Sequence, residues 1–123
     1  MIRRCEPRPG QWQTAFARHG RSSAFVFCRE TVEAGSAFHA RMFAPHLRVQ
    51  EDPATGSAAA AFAGALLRFA PPQDGEHDLA IEQGYEMGRP SLITLSLRVQ
   101  NRELVSAAIG GEAVTVTEGT IDV

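Results

Sequence analysis

Period-two alternation is the clearest signal along this chain. Leu92, Thr94, Ser96 and Arg98 alternate with Ile93, Leu95, Leu97 and Val99, so one face of an extended segment is uniformly apolar and a half-buried strand is predicted. Ala24-Phe25-Val26-Phe27-Cys28 is a short apolar run rich in aromatic and β-branched residues, which predicts a buried strand. Ala40 to Ala44 predicts another, stopped by Pro45, and Leu79 to Gln83 a further one that runs into a glycine-punctuated bend. Glu103 to Ile109 is expected to form a strand ended by Gly110-Gly111, and Ala113 to Thr117 and Thr120 to Val123 complete the β pattern around a Glu118-Gly119 turn. Residues 1–23 form a polar, proline-containing lead-in with a short helix expected from Pro9 to Arg18, and Ala70 to Gly75 reads as loop.

Residues 57–67, SAAAAFAGALL, follow a different rule. A helix lying on one side of a sheet shows an apolar stripe and a polar face, and this segment has no polar face. It is therefore expected to be covered on all sides. A helix of roughly 13 residues is about 20 Å long, too short to cross a bilayer and well matched to the bore of a curled sheet. The elements together predict an α+β fold, a mostly antiparallel sheet rolled around one central apolar helix. No repeat and no long Gly/Ser linker divides the chain, so residues 1–123 are expected to form a single domain.

Composition narrows the function classes. With 44% hydrophobic residues, 21% charged residues and a net charge of −2, the chain reads as a soluble globular protein. Its twelve positive charges, all arginine, are scattered among fourteen acids, which argues against nucleic acid as a partner. No apolar run is long enough for a membrane span, and Met1-Ile2-Arg3-Arg4 leads into Cys5, Pro7 and Pro9 rather than into an apolar signal core, so a cytoplasmic location is expected. Cys5 and Cys28 lie in stretches of different character, with no CxxC and no histidine at metal-ligand spacing; they read as reduced structural thiols, and no metal is expected.

The candidate chemistry sits where the apolar helix begins. Glu51-Asp52-Pro53-Ala54-Thr55-Gly56-Ser57 places two carboxylates and two hydroxyls at a helix N-terminus, where the first N–H groups lack intrahelical partners and a partial positive charge of about half a unit accumulates. Two readings stand side by side. In one, Asp52 or Ser57 is an N-cap and Pro53 fills a first-turn position, contributing ~1 kcal/mol of stability. In the other, Gly56 and Ser57 leave their N–H groups open to a carboxylate or phosphate, and Asp52 is a proton-transfer group beside it.

The strings "RMFAPHLRVQEDPATGSAAAAFAGAL" (41–66) and "IEQGYEMGRPSLITLSL" (81–97), followed by "AAIGGEAVTVTEGTI", resemble the C-terminal half of the phenazine-biosynthesis PhzF-like family, related in fold to diaminopimelate epimerase. The likeness runs from about Ala24 onward, with both motifs in the family's order and spacing. It implies one lobe of a two-lobed protein, each lobe a sheet rolled around a helix that aims its N-terminus at a substrate carboxylate. It also implies isomerisation by proton transfer on a small carboxylate, with no metal or organic cofactor. Carried over by motif, Asp52 is the acid/base or polar partner, and Thr55, Gly56, Ser57 and Gly84 bind substrate. The related epimerases have a cysteine near the position of Asp52, and this chain has none there, which argues against thiol-based racemisation.

Family members also carry an N-terminal lobe with the main catalytic glutamate, and Glu6, Glu30 and Glu33 lie in polar stretches without the matching glycine-rich helix start. Three readings follow: one lobe of an isomerase completed by a separate N-terminal lobe, a homodimer in which each copy serves as the other's missing lobe and two Asp52 side chains face each other, or a non-catalytic remnant. The isolated chain is expected to be inactive. Among other residues, Gly84 to Ser91 reads as a bend whose glycines permit positive φ, and Arg89 as solvated or salt-bridged. His39 and His46 read as hydrogen-bonded or exposed, His19 and His77 carry no signal, and Trp12, Tyr85 and the phenylalanines read as core or interface.

Overall fold

The computed structural model describes residues 2–16 and 23–122. The helix α1 (Pro9–Phe16) opens on a proline, whose missing N–H has no helical acceptor to lose at that position. The expected end of this helix at Ala17 and Arg18, and His19 after it, lie outside the described residues.

Strands β1 (Ala24–Cys28) and β2 (Phe38–Ala44) pair antiparallel, Ala24 opposite Phe43 and Cys28 opposite His39. The short strand β3 (Val49–Asp52) returns along β2 after a single turn of 3-10 helix at Pro45–Leu47. After the helix α2 (Gly56–Phe69) come β4 (Gly75–Gln83), β5 (Ser91–Gln100) and β6 (Glu103–Gly111), each antiparallel to the next. The connection between β5 and β6 is a two-residue turn in which Asn101 and Arg102 both have positive φ, the backbone that matches strand twist in hairpins. Asp74 accepts both of their N–H groups, at 2.8 and 3.0 Å.

The sheet runs β1-β2-β4-β5-β6, with β3 also on β2. Its antiparallel character is as expected except at one seam: β2 and β4 run parallel, Phe38 opposite Ile81 and Ala40 opposite Gln83. The architecture is α+β, a mixed six-stranded sheet with two helices. One sheet face, built from Phe38 and Ala40 of β2, Ile81 of β4 and Ile93, Leu95 and Leu97 of β5, packs against α2. Phe62 of α2 anchors this core, its ring 4.4 Å from that of Phe27, 5.0 Å from Phe38 and 5.7 Å from Phe25, pairs that contribute about 0.5–1.5 kcal/mol each beyond area burial.

Two expectations are corrected. The helix is not covered on all sides: Ala59, Phe62, Ala63 and Leu66 form one buried stripe, while Ala60, Ala61, Gly64 and Phe69 are exposed. The reason is topological, since the sheet ends at β1 and β6 and these two strands do not pair among the described residues. The tail is not β structure either. Residues 112–122 form no strand, and Val114, Val116 and Ile121 are 83%, 87% and 84% exposed. Alternating sequence makes a strand only where a neighbouring strand accepts its backbone hydrogen bonds, and none lies beside this segment among the described residues. No described helix is long and apolar enough to cross a membrane.

Candidate functional site

β1 occupies one edge of β2 along its length, so β4 and β3 share the other edge. Because β4 runs parallel to β2 and β3 antiparallel, their last residues converge: Gln83 comes opposite Ala40 and Asp52 opposite Met42, with Arg41 between. The ladder is interrupted there, and side chains take over. The Gln83 amide nitrogen donates to the Asp52 carbonyl at 2.6 Å and to the Thr55 hydroxyl at 3.0 Å, and its oxygen accepts from the Thr55 N–H at 3.3 Å. The Thr55 hydroxyl in turn donates to Asp52 Oδ2 at 2.6 Å.

Gly84 has φ +82°, and a Cβ there would collide with the Arg89 carbonyl oxygen and stand 2.8 Å from the Pro53 carbonyl oxygen. A glycine is required by both the left-handed backbone and the close approach. Its absent side chain lets the bend after β4 press against Pro53, beside the start of α2. The structure thus brings all five candidate residues, Asp52, Thr55, Gly56, Ser57 and Gly84, to one end of α2.

At that end the helix is uncapped by side chains. Thr55 occupies the N-cap position and its hydroxyl makes no capping bond. The N–H groups of Ala58 and Ala59 bond to the Thr55 carbonyl at 3.1 and 3.0 Å, whereas those of Gly56 and Ser57 have no partner among the described residues. Ser57 is exposed, Gly56 half-buried. The simple N-cap reading of Asp52 or Ser57 is therefore not what the structure builds.

Behind this junction, on the sheet face away from α2, lies a charged cluster that sequence reasoning did not assemble. His39 Nδ1 lies 2.5 Å from Glu82 Oε1 and Nε2 lies 2.9 Å from Glu86 Oε1, so the ring bridges two carboxylates. Glu82 also accepts the Val32 and Glu33 N–H groups at 2.6 and 3.0 Å. Arg41 forks onto both oxygens of Glu51 at 2.8 Å and donates to the carbonyls of Ile2, Arg3 and Cys5. The only sequence signal was the alternation itself: His39 and Arg41 fall on the opposite period from Phe38 and Ala40, and Glu82 on the opposite period from Ile81. His39 is hydrogen-bonded, one of the two states read from the sequence, and buried, while His46 and Arg89 are exposed.

Burial raises the Glu82 carboxyl, but the two backbone N–H groups and His39 outweigh it and hold its pKa below the ordinary value. Glu86 is lowered in the same way, burial being overcome by His39 and Arg41. A carboxylate whose folded pKa is depressed contributes stability that is complete above its unfolded value and lost as pH falls through the folded one. Melting temperature is thus expected to fall as pH drops below the ordinary glutamate value of about 4.3. Glu82→Gln should melt lower at pH 7 and show a shallower acid slope. An acid slope identical to wild type in thermal melts would remove Glu82 from this account.

Cys5 and Cys28 are free thiols. No group of three or more His, Cys, Asp or Glu among the described residues is arranged to hold a metal.

Residues 2–119 match the PhzC-PhzF family of phenazine biosynthesis-like proteins. An uncharacterised isomerase of Mesorhizobium japonicum is 56% identical over 115 residues, 94% of this chain and 36% of that protein. The trans-2,3-dihydro-3-hydroxyanthranilate isomerase of Pseudomonas fluorescens is 40% identical over 88 residues, 72% of this chain and 31% of the relative. The crystal structure of a Bacillus anthracis PhzF-family phenazine biosynthesis protein superposes with a TM-score of 0.71 at 20% identity, over 89% of this chain and 41% of that one. The chain spans about a third of the length of these curated relatives. With the family matched from residue 2 to residue 119 and the same fold found in a solved member, this chain belongs to the PhzC-PhzF family of phenazine biosynthesis-like proteins.

Proposed function

We propose that this chain is one lobe of a PhzF-like isomerase that moves a proton on a small carboxylate substrate without a cofactor, the second wall of the cleft being supplied by an N-terminal lobe. The observation that carries the reading is the uncapped start of α2. Two adjacent N–H groups, Gly56 and Ser57, have no partner among the described residues and lie beside a carboxylate whose neighbouring hydroxyl is turned away from them. A helix N-terminus in that condition favours an anion. The substrate carboxylate would bind these N–H groups and the Ser57 hydroxyl, leaving Asp52 beside the carbon framework to give or take a proton. Curated relatives named trans-2,3-dihydro-3-hydroxyanthranilate isomerase support the reaction class. In this reading α2 is the axis of a rolled sheet whose open side, between β1 and β6, is the side on which completion occurs.

Without the glutamate of an N-terminal lobe the isolated chain is expected to be inactive, since loss of one positioned acid/base group reduces rate by roughly 10²–10⁴-fold. The test is complementation. The chain is mixed with the separately expressed N-terminal lobe of a longer relative and given trans-2,3-dihydro-3-hydroxyanthranilate in deuterated water. Isomerisation with deuterium uptake only in the mixture is the expected result. A mixture that forms a stable complex and shows neither isomerisation nor exchange overturns the reading. Activity of the chain alone, rising with its self-association, would replace the separate lobe by a second copy.

A further inference from the structure

Gln83 ends β4 fully buried, and its side-chain hydrogen bonds among the described residues all go to the stretch from Asp52 to Thr55. A backbone carbonyl only accepts and a backbone N–H only donates. The amide orientation is therefore settled by chemistry: nitrogen toward the Asp52 carbonyl and the Thr55 hydroxyl, oxygen toward the Thr55 N–H. This has an effect one bond further on. Because the Thr55 hydroxyl oxygen accepts from Gln83 Nε2 at 3.0 Å, its single hydrogen goes to the acceptor on its other side, Asp52 Oδ2 at 2.6 Å. Asp52 Oδ1 is left without a hydrogen-bond partner among the described residues.

An N-cap threonine ordinarily accepts from the N–H of the second or third helical residue. Here Gln83 and Asp52 hold the hydroxyl elsewhere. We infer that Gln83 is a positioning residue for the proton-transfer group: acting through Thr55, it determines which Asp52 oxygen is tied down and which stays free to exchange a proton. The inference rests on the reading of Asp52 as the acid/base. Only a neutral amide fits the position, because it must donate to two oxygens and accept from one N–H. A carboxylate in its place would face the Asp52 carbonyl with no hydrogen to offer and would draw the Thr55 hydroxyl hydrogen to itself.

The experiment follows the Asp52 side-chain carboxyl by carbon-13 NMR in the isolated chain at neutral pH, with turnover measured after assembly with the N-terminal lobe. Thr55→Val removes the hydroxyl and is expected to displace the Asp52 signal. Gln83→Met, which keeps the volume and loses the hydrogen bonds, and Gln83→Glu should displace it in the same direction. In the assembled enzyme either Gln83 variant should lower kcat on the order of 10-fold with KM little changed, the signature of lost orientation rather than lost binding. Adding Thr55→Val to a Gln83 variant should cause no further loss, since both act along one path. A wild-type Asp52 signal in both Gln83 variants overturns the inference; if Gln83→Glu does not fold, Gln83→Met alone decides. Full turnover in Asp52→Asn would instead remove the acid/base reading, and the Asp52 signal would still say whether Gln83 directs the hydroxyl.

Discussion

Gly84→Ala is expected to destabilise the chain by about 4 kcal/mol, the sum of a left-handed backbone at a non-glycine residue, about 1–3 kcal/mol, and an overpacked contact of about 1–3 kcal/mol. The contact is the severe part. The added methyl would collide with the Arg89 carbonyl and press on the Pro53 carbonyl, 2.8 Å away. Neither is a flexible side-chain end that can swing aside; relief requires moving the bend after β4 away from the segment that leads into α2. Against a typical total stability of 5–15 kcal/mol, that is a large fraction. Gly88→Ala is the control: Gly88 also has positive φ, +66°, but nothing lies within 4 Å of the place its Cβ would take, so only the backbone part, about 1–3 kcal/mol, is expected. Urea unfolding of both variants separates the two contributions. Equal losses for Gly84→Ala and Gly88→Ala would show that the close approach to Pro53 contributes nothing.

If Asp52 is the acid/base group of the proposed isomerase, Asp52→Asn is expected to reduce turnover of the assembly with an N-terminal lobe by roughly 10²–10⁴-fold, the usual effect of removing such a positioned group. The substitution keeps an oxygen to accept the Thr55 hydroxyl, and Asp52 is only half-buried, so the fold should survive. The loss should therefore appear in kcat, with binding of substrate carboxylate at the Gly56 and Ser57 N–H groups little altered. Backbone amide shifts of those two residues, titrated with a small carboxylate, report the binding; deuterium exchange into substrate reports the chemistry. A variant that binds and exchanges like wild type would leave Asp52 with a purely structural part.

The junction around Gly84 and Asp52 also shows how far local reasoning reaches. Gly84 stood out in the sequence as a glycine in a bend, and its positive φ agrees with that reading. Its contact with Pro53, 31 positions earlier in the chain by residue number, had no local sign. Gln83 was read as the last residue of a strand, which it is, yet its function at the junction depends on two strands ending against the same edge of β2. His39 and Arg41 stand out of phase with Phe38 and Ala40, and Glu82 with Ile81, while Glu86 lies in the bend after β4; the contacts among the four had no local sign. Strand β3 was missed because Gln50, Glu51 and Asp52 are polar and too few to show a period. Its extended state comes from pairing with β2.

The tail illustrates the opposite error. Ala113 to Thr117 carries the alternation of a strand, and the described residues offer it no partner. The helix showed the same imbalance: an apolar surface all around, and a sheet that covers one stripe of it. Both read as surfaces suited to burial that the described residues leave open.

The sequence by itself determined the α+β class, five of the six strands, the apolar helix and its chemically loaded start, because hydrophobic period and helix-start chemistry are local properties of the chain. Only the tertiary structure decided the parallel seam between β2 and β4, the closeness of Gly84 to Pro53, the bonding of Gln83 to Asp52 and Thr55, and the open N–H groups of Gly56 and Ser57. Each of these depends on strands distant in sequence meeting at one edge, and hydrogen bonds between such segments leave no periodic trace in either one.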